Sequence, residues 1–495
     1  MPIAERREPF SAFCLAMPDI NGMIFHMKTT SSSCPFRPGG QPASQPNPQA
    51  GAWPPGPKPG LMGWRLLSRM SRDLMGTLAD WQREFGDLVH VRTWPEHQII
   101  VCHPQWAREL LVSQADALQR WERALFVYGR VHGHSVLIAE GEAWHQKRQA
   151  LQPDFTRKSV QAFSPSIIDA GKQAFAKWPE RDDAWPIERE LTSLTMEVIL
   201  RMMFSSGVGE EAQQAEDAVH TLMVASTDEL WRPFSLPDWM PWQRKRRRAR
   251  LVMGELIERH LQACLAVPPD AWPEDLLSRL LRLHLEQPEE WPLQAVRDEC
   301  KTAFLAGHET IAASLGWWSW SMASHPDIQQ RAREEAIAAW PGDEHGEMDL
   351  SALQFVSQTL LESMRLYPAV PLLMSRRAIK PVAIGDWTFP ARTVFMVPMQ
   401  LMQHDERWFP EPRRYRPERF APEAGRPQQG SYLPFGGGPR VCLGQHLAMA
   451  EMTLVAAQLL RRFRLSIPAG AQPPRPVFHV SQRPDKPLAL AIARL

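Results

Sequence analysis

One cysteine in this sequence is set up to do chemistry. FGGGPRVCLG, Phe435–Gly444, surrounds Cys442 with four glycines and places Arg440 two residues before it. Gly436, Gly437 and Gly438 permit left-handed backbone and close approach, and Pro439 then fixes the chain direction. Cys442 stands just before Gln445–Phe463, where Leu447, Ala450, Leu454 and Ala457 share one helix face. A cysteine at a helix N-terminus feels the positive end of the dipole, which favours the thiolate. Three uses of such a sulfur are open. It could be a nucleophile with His446 as a candidate base, a ligand in a multi-cysteine site, or a single axial ligand to haem iron with Arg440 as a cation for a propionate. The other cysteines, Cys14, Cys34, Cys102, Cys264 and Cys300, are scattered and form no CxxC pair. That spacing disfavours a zinc site or a disulfide framework and fits a reducing, cytoplasmic compartment.

A second group of residues lies on Leu293–Ser324, which reads as one long helix. At about 100° per residue, Ala303, Ala306, Gly307, Thr310, Ala313 and Ser314 fall on one side. Phe304, Leu305, His308, Ile311, Leu315 and Trp318 crowd the other, and Trp317 closes the bare side at its far end. A face without bulk for three turns can receive something flat and large, or it can be a close helix–helix contact. Gly307 weakens the helix by about 1 kcal/mol relative to alanine, which asks for a reason. Thr310 points into the trough and Glu309 lies at its edge, so a hydroxyl and a carboxylate could relay protons there.

Positioning these residues takes a large, mainly helical fold with a small β region. The chain has 495 residues, 44% of them apolar, and a net charge of +1. That balance excludes a nucleic-acid binder held by bulk electrostatics. Residues 1–53 read as a disordered, proline-rich tail, with nine prolines between Pro35 and Pro59. Residues 54–495 read as one domain, entered through the stiff PPGPKPG of Pro54–Gly60. Helical patterns fill Leu191–Phe204, Gln243–Leu265, Ala352–Leu366 and Gln445–Phe463, and Val89–Cys102 and Val382–Pro398 read as hairpins. RKRRRAR, Arg244–Arg250, reads as a solvated helix face. The apolar run Phe10–Met17 is too short for a transmembrane anchor, which needs about 20 residues.

FGGGPRVCLG resembles the haem-binding loop of the cytochrome P450 family, FxxGxxxCxG, with Phe435, Gly438, Cys442 and Gly444 in register. AGHET, Ala306–Thr310, resembles the family's oxygen-activating segment. ESMR, Glu362–Arg365, resembles its ExxR pair, and PERF, Pro417–Phe420, the segment whose Arg419 completes a charge triad with that pair. WHQKR, Trp144–Arg148, is similar to its WxxxR. The resemblance implies a cytochrome P450 fold holding haem b between the small-residue helix and the cysteine loop, with Cys442 as iron ligand. It implies haem contacts from Trp144, Arg148, Ala306, Gly307, Phe435, Arg440 and Gly444, and from Arg376, with Arg377 as its rival. Glu309 and Thr310 would serve oxygen activation. The implied activity is insertion of one oxygen atom from O2 into an apolar substrate, a fatty acid, terpenoid or polyketide. Its lining would come from Leu125–Val131, Trp231–Leu236 and Ala369–Leu373, and its electrons from a separate ferredoxin or flavodoxin with its reductase. A haem-thiolate isomerase or dehydratase, or a non-catalytic haem binder, are the alternatives. Thr310 speaks against the first and the Glu309–Thr310 pair against the second.

Overall fold

The computed structural model describes residues 53–205, 210–230, 232, 235, 237, 239–340, 348–478 and 481–495. The tail of residues 1–52 lies outside them. Trp53, counted above with the tail, belongs to the fold: its ring stacks on His90 and His97 at 4.5 and 4.3 Å. The Pro54–Gly60 lead-in then runs beside the first strand, whose His90 N–H donates to the Pro55 carbonyl.

Eight helices matter to the site. They are α1 (Glu122–His132), α2 (Gly141–Leu151), α3 (Ile187–Phe204), α4 (Glu210–Leu230), α5 (Arg244–Leu265), α6 (Leu293–Ser324), α7 (Gln354–Leu366) and α8 (Gln445–Arg462). The 32 residues of α6 make a rod about 48 Å long through the molecule. It starts after Pro292 and stops at His325 because Pro326 cannot continue it. One large core joins α6 to α7 and α8, with Trp318, Leu360, Leu454 and Leu460 inside it. Trp318 Nε1 donates to Thr359 Oγ1 at 2.8 Å, so the buried indole is not left unpaired. A second core packs α3, α4 and α5 over the other end of α6.

The β region is small. Strands β1 (Leu88–Thr93), β2 (Glu96–Val101), β3 (Leu118–Arg120), β4 (Arg376–Ala378) and β5 (Val394–Met396) form one sheet in the order β1-β2-β5-β4-β3. The Val89–Cys102 hairpin is present as β1–β2. The Val382–Pro398 segment is a hairpin only in its first half, Val382–Ile384 against Trp387–Phe389. Its last strand, β5, instead runs parallel to β2, pairing Gln98–Ile100 with Val394–Met396. Phe395 explains the difference: with neither face solvated it is fully buried, and it is claimed by the larger sheet.

Glu362 and Arg365 tie this frame together. Both are completely buried in α7. Arg365 grips Glu362 side-on, Nε to Oε2 and Nη2 to Oε1, each at 2.8 Å. Its remaining N–H groups reach the carbonyls of Gln403, Pro412 and Arg414. Glu362 also accepts from the Arg416 backbone at 2.9 Å and from Arg419 Nε at 3.3 Å. Tyr432, which leads into the cysteine loop, donates its hydroxyl to the Leu361 carbonyl. The triad thus pins the segment that presents Cys442.

Candidate active site

The cysteine loop is closed on itself. The Cys442 N–H donates to the Phe435 carbonyl at 2.9 Å, and Gly436 N–H to Leu433. Gly438 has φ +73°, and a Cβ there would lie 1.9 Å from the Leu111 carbonyl oxygen, so only glycine fits. No such demand falls on Gly444, whose φ is −85°. Its backbone N–H instead donates to the Cys442 sulfur, the contact that a charged sulfur requires.

Cys442 is exposed, yet burial by the surrounding protein pushes its thiol up. The two observations agree if the sulfur opens onto a space inside the molecule. The Gly444 N–H and the Arg148 guanidinium oppose the upward shift without cancelling it. The helix end alone therefore does not give a thiolate, contrary to the sequence expectation. A bound metal ion would remove the proton, because coordination deprotonates a thiol outright.

The wall above behaves in a similar way. Ala306 is exposed in the middle of α6, although Leu305 and His308 beside it are buried. Ala303, one turn earlier, and Leu443, next to the cysteine, pack on the same core. Thr310 is half-buried, and its hydroxyl donates to the Ala306 carbonyl at 3.0 Å. The open stretch is shorter than the spacing suggested, since Ala313 and Ser314 are buried. Trp317 does close its far end, stacked on Tyr367.

Two site expectations change. Gly307 does not open the trough: a Cβ there would lie 2.8 Å from Ile199 Cδ1, so the glycine lets α3 approach α6. The close helix contact, weighed against the open face above, is correct at this residue. Glu309 does not hang at the trough's edge as a free acid. Its carboxylate accepts from Arg483 Nε at 2.7 Å and Ser481 Oγ at 2.8 Å. Burial alone would raise its pKa, but Arg483 reverses that and holds it below the usual value. His308 is a packing residue; burial lowers its pKa to about 4, so it is neutral.

Four arginines gather beside the cysteine loop, two of them on the Glu140 carboxylate. Arg440 donates to Glu140 at 2.7 Å and to the Ala139 carbonyl at 2.9 Å. Its guanidinium lies 3.9 Å over the Trp144 ring, so Trp144 acts here by positioning Arg440. Arg120 reaches Glu140 at 3.3 Å. Arg376 stands directly opposite Arg120 in the β3–β4 register. Arg148 donates to the Val441 carbonyl at 2.8 Å. Burial, then Arg120, lowers both Arg376 and Arg440 to about 9. Like charges opposite each other on a sheet are unfavourable without a counter-charge. Arg377, the rival of Arg376, is occupied by Glu96 and Glu122, both at 2.7 Å. Arg120 carries no signal in the sequence, because only strand pairing brings it here.

The family model for cytochrome P450 matches residues 54–490. The chain belongs to the cytochrome P450 family. It is 29% identical over 448 residues to a cyclooctat-9-en-7-ol 5-monooxygenase from Streptomyces melanosporofaciens, covering 86% of this chain and 92% of that one. It is 30% identical over 381 residues to an 11-oxo-beta-amyrin 30-oxidase from Glycyrrhiza uralensis, covering 71% of each. Its fold matches the crystal structure of CYP175A1 from Thermus thermophilus with a TM-score of 0.69 at 24% identity, covering 88% of this chain and 98% of that one. The cytochrome P450 fold expected from the motifs is therefore present, as is its function: a haem-thiolate monooxygenase that takes O2, an organic substrate and electrons from a redox partner. Haem b is its cofactor. The residues of this P450 fit that group. The lone Cys442 sulfur suits an iron ligand, the bare Ala306 leaves room along α6, and the arginines beside Glu140 suit two propionates. Among the described residues no helix is long and apolar enough to cross a membrane.

Proposed function

We propose that this P450 oxidises a terpenoid-type skeleton, with Cys442 as iron ligand and Thr310 as the residue that handles protons. The observation that carries the site assignment is that Cys442 in its closed loop and Ala306 in the buried middle stretch of α6 are both exposed. The terpenoid reading is supported by the names of the two relatives above. When bound, haem supplies the reductive activation of O2 that no side chain can provide.

The chain's own residues do the rest. Gly444 N–H and Arg148 stabilise negative charge on the sulfur. Arg120, Arg148, Arg376 and Arg440 would hold the propionates, and Phe435 would help to hold the haem from the cysteine loop. Thr310 already donates to Ala306, so its hydroxyl has a defined resting place from which it can turn and pass a proton. Glu309 supplies protons only when its pair with Arg483 opens. The lining proposed from Leu125–Val131 and Ala369–Leu373 is largely apolar. Of Trp231–Leu236, residues 231, 233, 234 and 236 lie outside the described residues. Electrons would come from a redox partner of the ferredoxin or flavodoxin type with its reductase, as membership of the P450 family suggests. Cytoplasmic placement is supported by Cys102, Cys264, Cys300 and Cys442 being free thiols.

The test is turnover of a terpenoid alcohol with surrogate ferredoxin partners under labelled O2. One labelled oxygen per product is expected, whereas label from water alone would overturn the reading. Thr310→Ala is expected to keep substrate binding but consume reductant with several-fold less product. Unchanged coupling would mean that protons enter elsewhere.

A further inference from the structure

The corner where the chain enters the fold carries apolar side chains that the core does not take. Leu61 and Met62 form a turn before the helix Trp64–Arg72 and are 82% and 53% exposed. Trp64, which opens that helix, is 53% exposed, and Trp94, at the tip between β1 and β2, is 63% exposed. The two tips belong to one surface, because the Trp94 N–H donates to the Met62 carbonyl at 3.0 Å. Gly63 lies between them with φ +80°, and a Cβ there would stand 2.6 Å from the Arg92 carbonyl oxygen. Only glycine lets the turn press so closely on the end of β1. The core beneath is filled by Leu66, Met70, Val91 and Ile100. The two indoles alone therefore leave on the order of 200 Å² of apolar surface outside. With Leu61 and Met62 the patch reaches the size at which exposed apolar surface marks an interaction site.

Positive charge surrounds this patch. No acidic residue occurs from Pro54 to Arg72, and Lys58, Arg65, Arg69 and Arg72 are all exposed. A surface pocket of about 550 Å³ behind the tips is lined by Arg65, Arg69 and Arg72 with Asp73 and Asp80. The two acids are already engaged. Asp80 is shared between Arg69 and Arg83, and Asp73 caps the next helix, accepting from the Gly76 N–H at 2.9 Å. Among the described residues, Lys58, Arg65 and Arg72 enter no ion pair. A peptide partner would need a groove or a free strand edge. The patch is instead made of convex tips, and the lead-in already pairs with β1 through the His90 N–H and the Pro55 carbonyl. A bilayer closes around convex tips, with indoles at the level of the head groups and cations on their phosphates.

We propose that this corner docks the protein on the surface of a bilayer containing anionic phospholipids. Leu61, Met62, Trp64 and Trp94 enter the interface, and Arg65 and Arg72 meet the phosphates. Docking of this kind needs no spanning helix.

The experiment is sedimentation of the holoenzyme with vesicles of phosphatidylcholine containing about one-quarter phosphatidylglycerol, and with vesicles of phosphatidylcholine alone. The parent is expected to sediment with the anionic vesicles and several-fold less with the neutral ones. Leu61→Ser and Trp94→Ser together are expected to weaken binding about tenfold or more, from the apolar area they remove. Arg65→Gln and Arg72→Gln together are expected to weaken binding to the anionic vesicles roughly 5- to 25-fold and to change binding to the neutral ones little. Haem absorbance checks folding, since none of these residues belongs to the site described above. Should the first pair not fold, Trp64→Ser is expected to weaken binding several-fold. Parent protein that stays in solution with both kinds of vesicle would overturn the proposal, as would binding that every substitution leaves undiminished. A concentration-dependent dimer that Leu61→Ser and Trp94→Ser dissolve, without vesicle binding, would overturn it in favour of a second copy of this chain.

Discussion

Cys442→Ala is expected to abolish the thiolate-type spectrum of the ferrous carbon monoxide complex and to lower turnover by more than about 10³-fold, the scale of losing a group on which the reaction depends. The reason is chemical singularity. Of the other described cysteines, Cys102 and Cys300 are fully buried, and the half-buried Cys264 lies by Asp275 and Ser278 rather than in the glycine loop. Alanine leaves the loop intact, since the Cys442 N–H and the Gly438 turn do not depend on the side chain. Haem could still enter, held by the arginines, but without its axial sulfur. Absorption spectroscopy of the reduced, carbon monoxide-treated variant checks this. A normal thiolate-type band would mean that another ligand had been overlooked.

Arg365→Ala is expected to cost about 3–5 kcal/mol, because it leaves Glu362 charged, buried and without its bidentate partner. Against a total stability of about 5–15 kcal/mol, that removes a large share. Three carbonyls, on Gln403, Pro412 and Arg414, lose a donor as well. Little folded protein is expected at 37 °C, and what folds should lose haem readily. Arg365→Lys should rescue only in part, since an ammonium cannot reproduce the fork. Denaturant unfolding followed by haem absorbance measures both variants. A midpoint equal to that of the parent would show that the triad does not hold the loop.

These two residues were legible in the sequence because their neighbours in space are also neighbours in the chain. Cys442, Gly438 and Phe435 share one loop, Glu362 and Arg365 share one turn of helix, and α6 ends where its flanking prolines require. Residues whose partners come from afar were not legible. Arg120 reaches Arg376 only through strand pairing. Ser481 and Arg483 claim Glu309 from 172 and 174 residues away, which turns an apparent free acid into half of an ion pair. The periodicity placed Gly307 on the bare side, but it could not report that Ile199 would arrive there. At Cys442 the Gly444 N–H at the start of the helix does oppose the upward shift, but burial, which only the folded loop creates, outweighs it.

All of this reduces to a lone loop sulfur and a cationic wall built to hold one haem. The most direct test is haem stoichiometry on the purified parent, by pyridine haemochrome assay, together with its ferrous carbon monoxide spectrum. One haem b per chain with a thiolate-type band is the predicted result. Protein that stays free of haem after expression with excess precursor, or a band of the imidazole-ligated type, would contradict it.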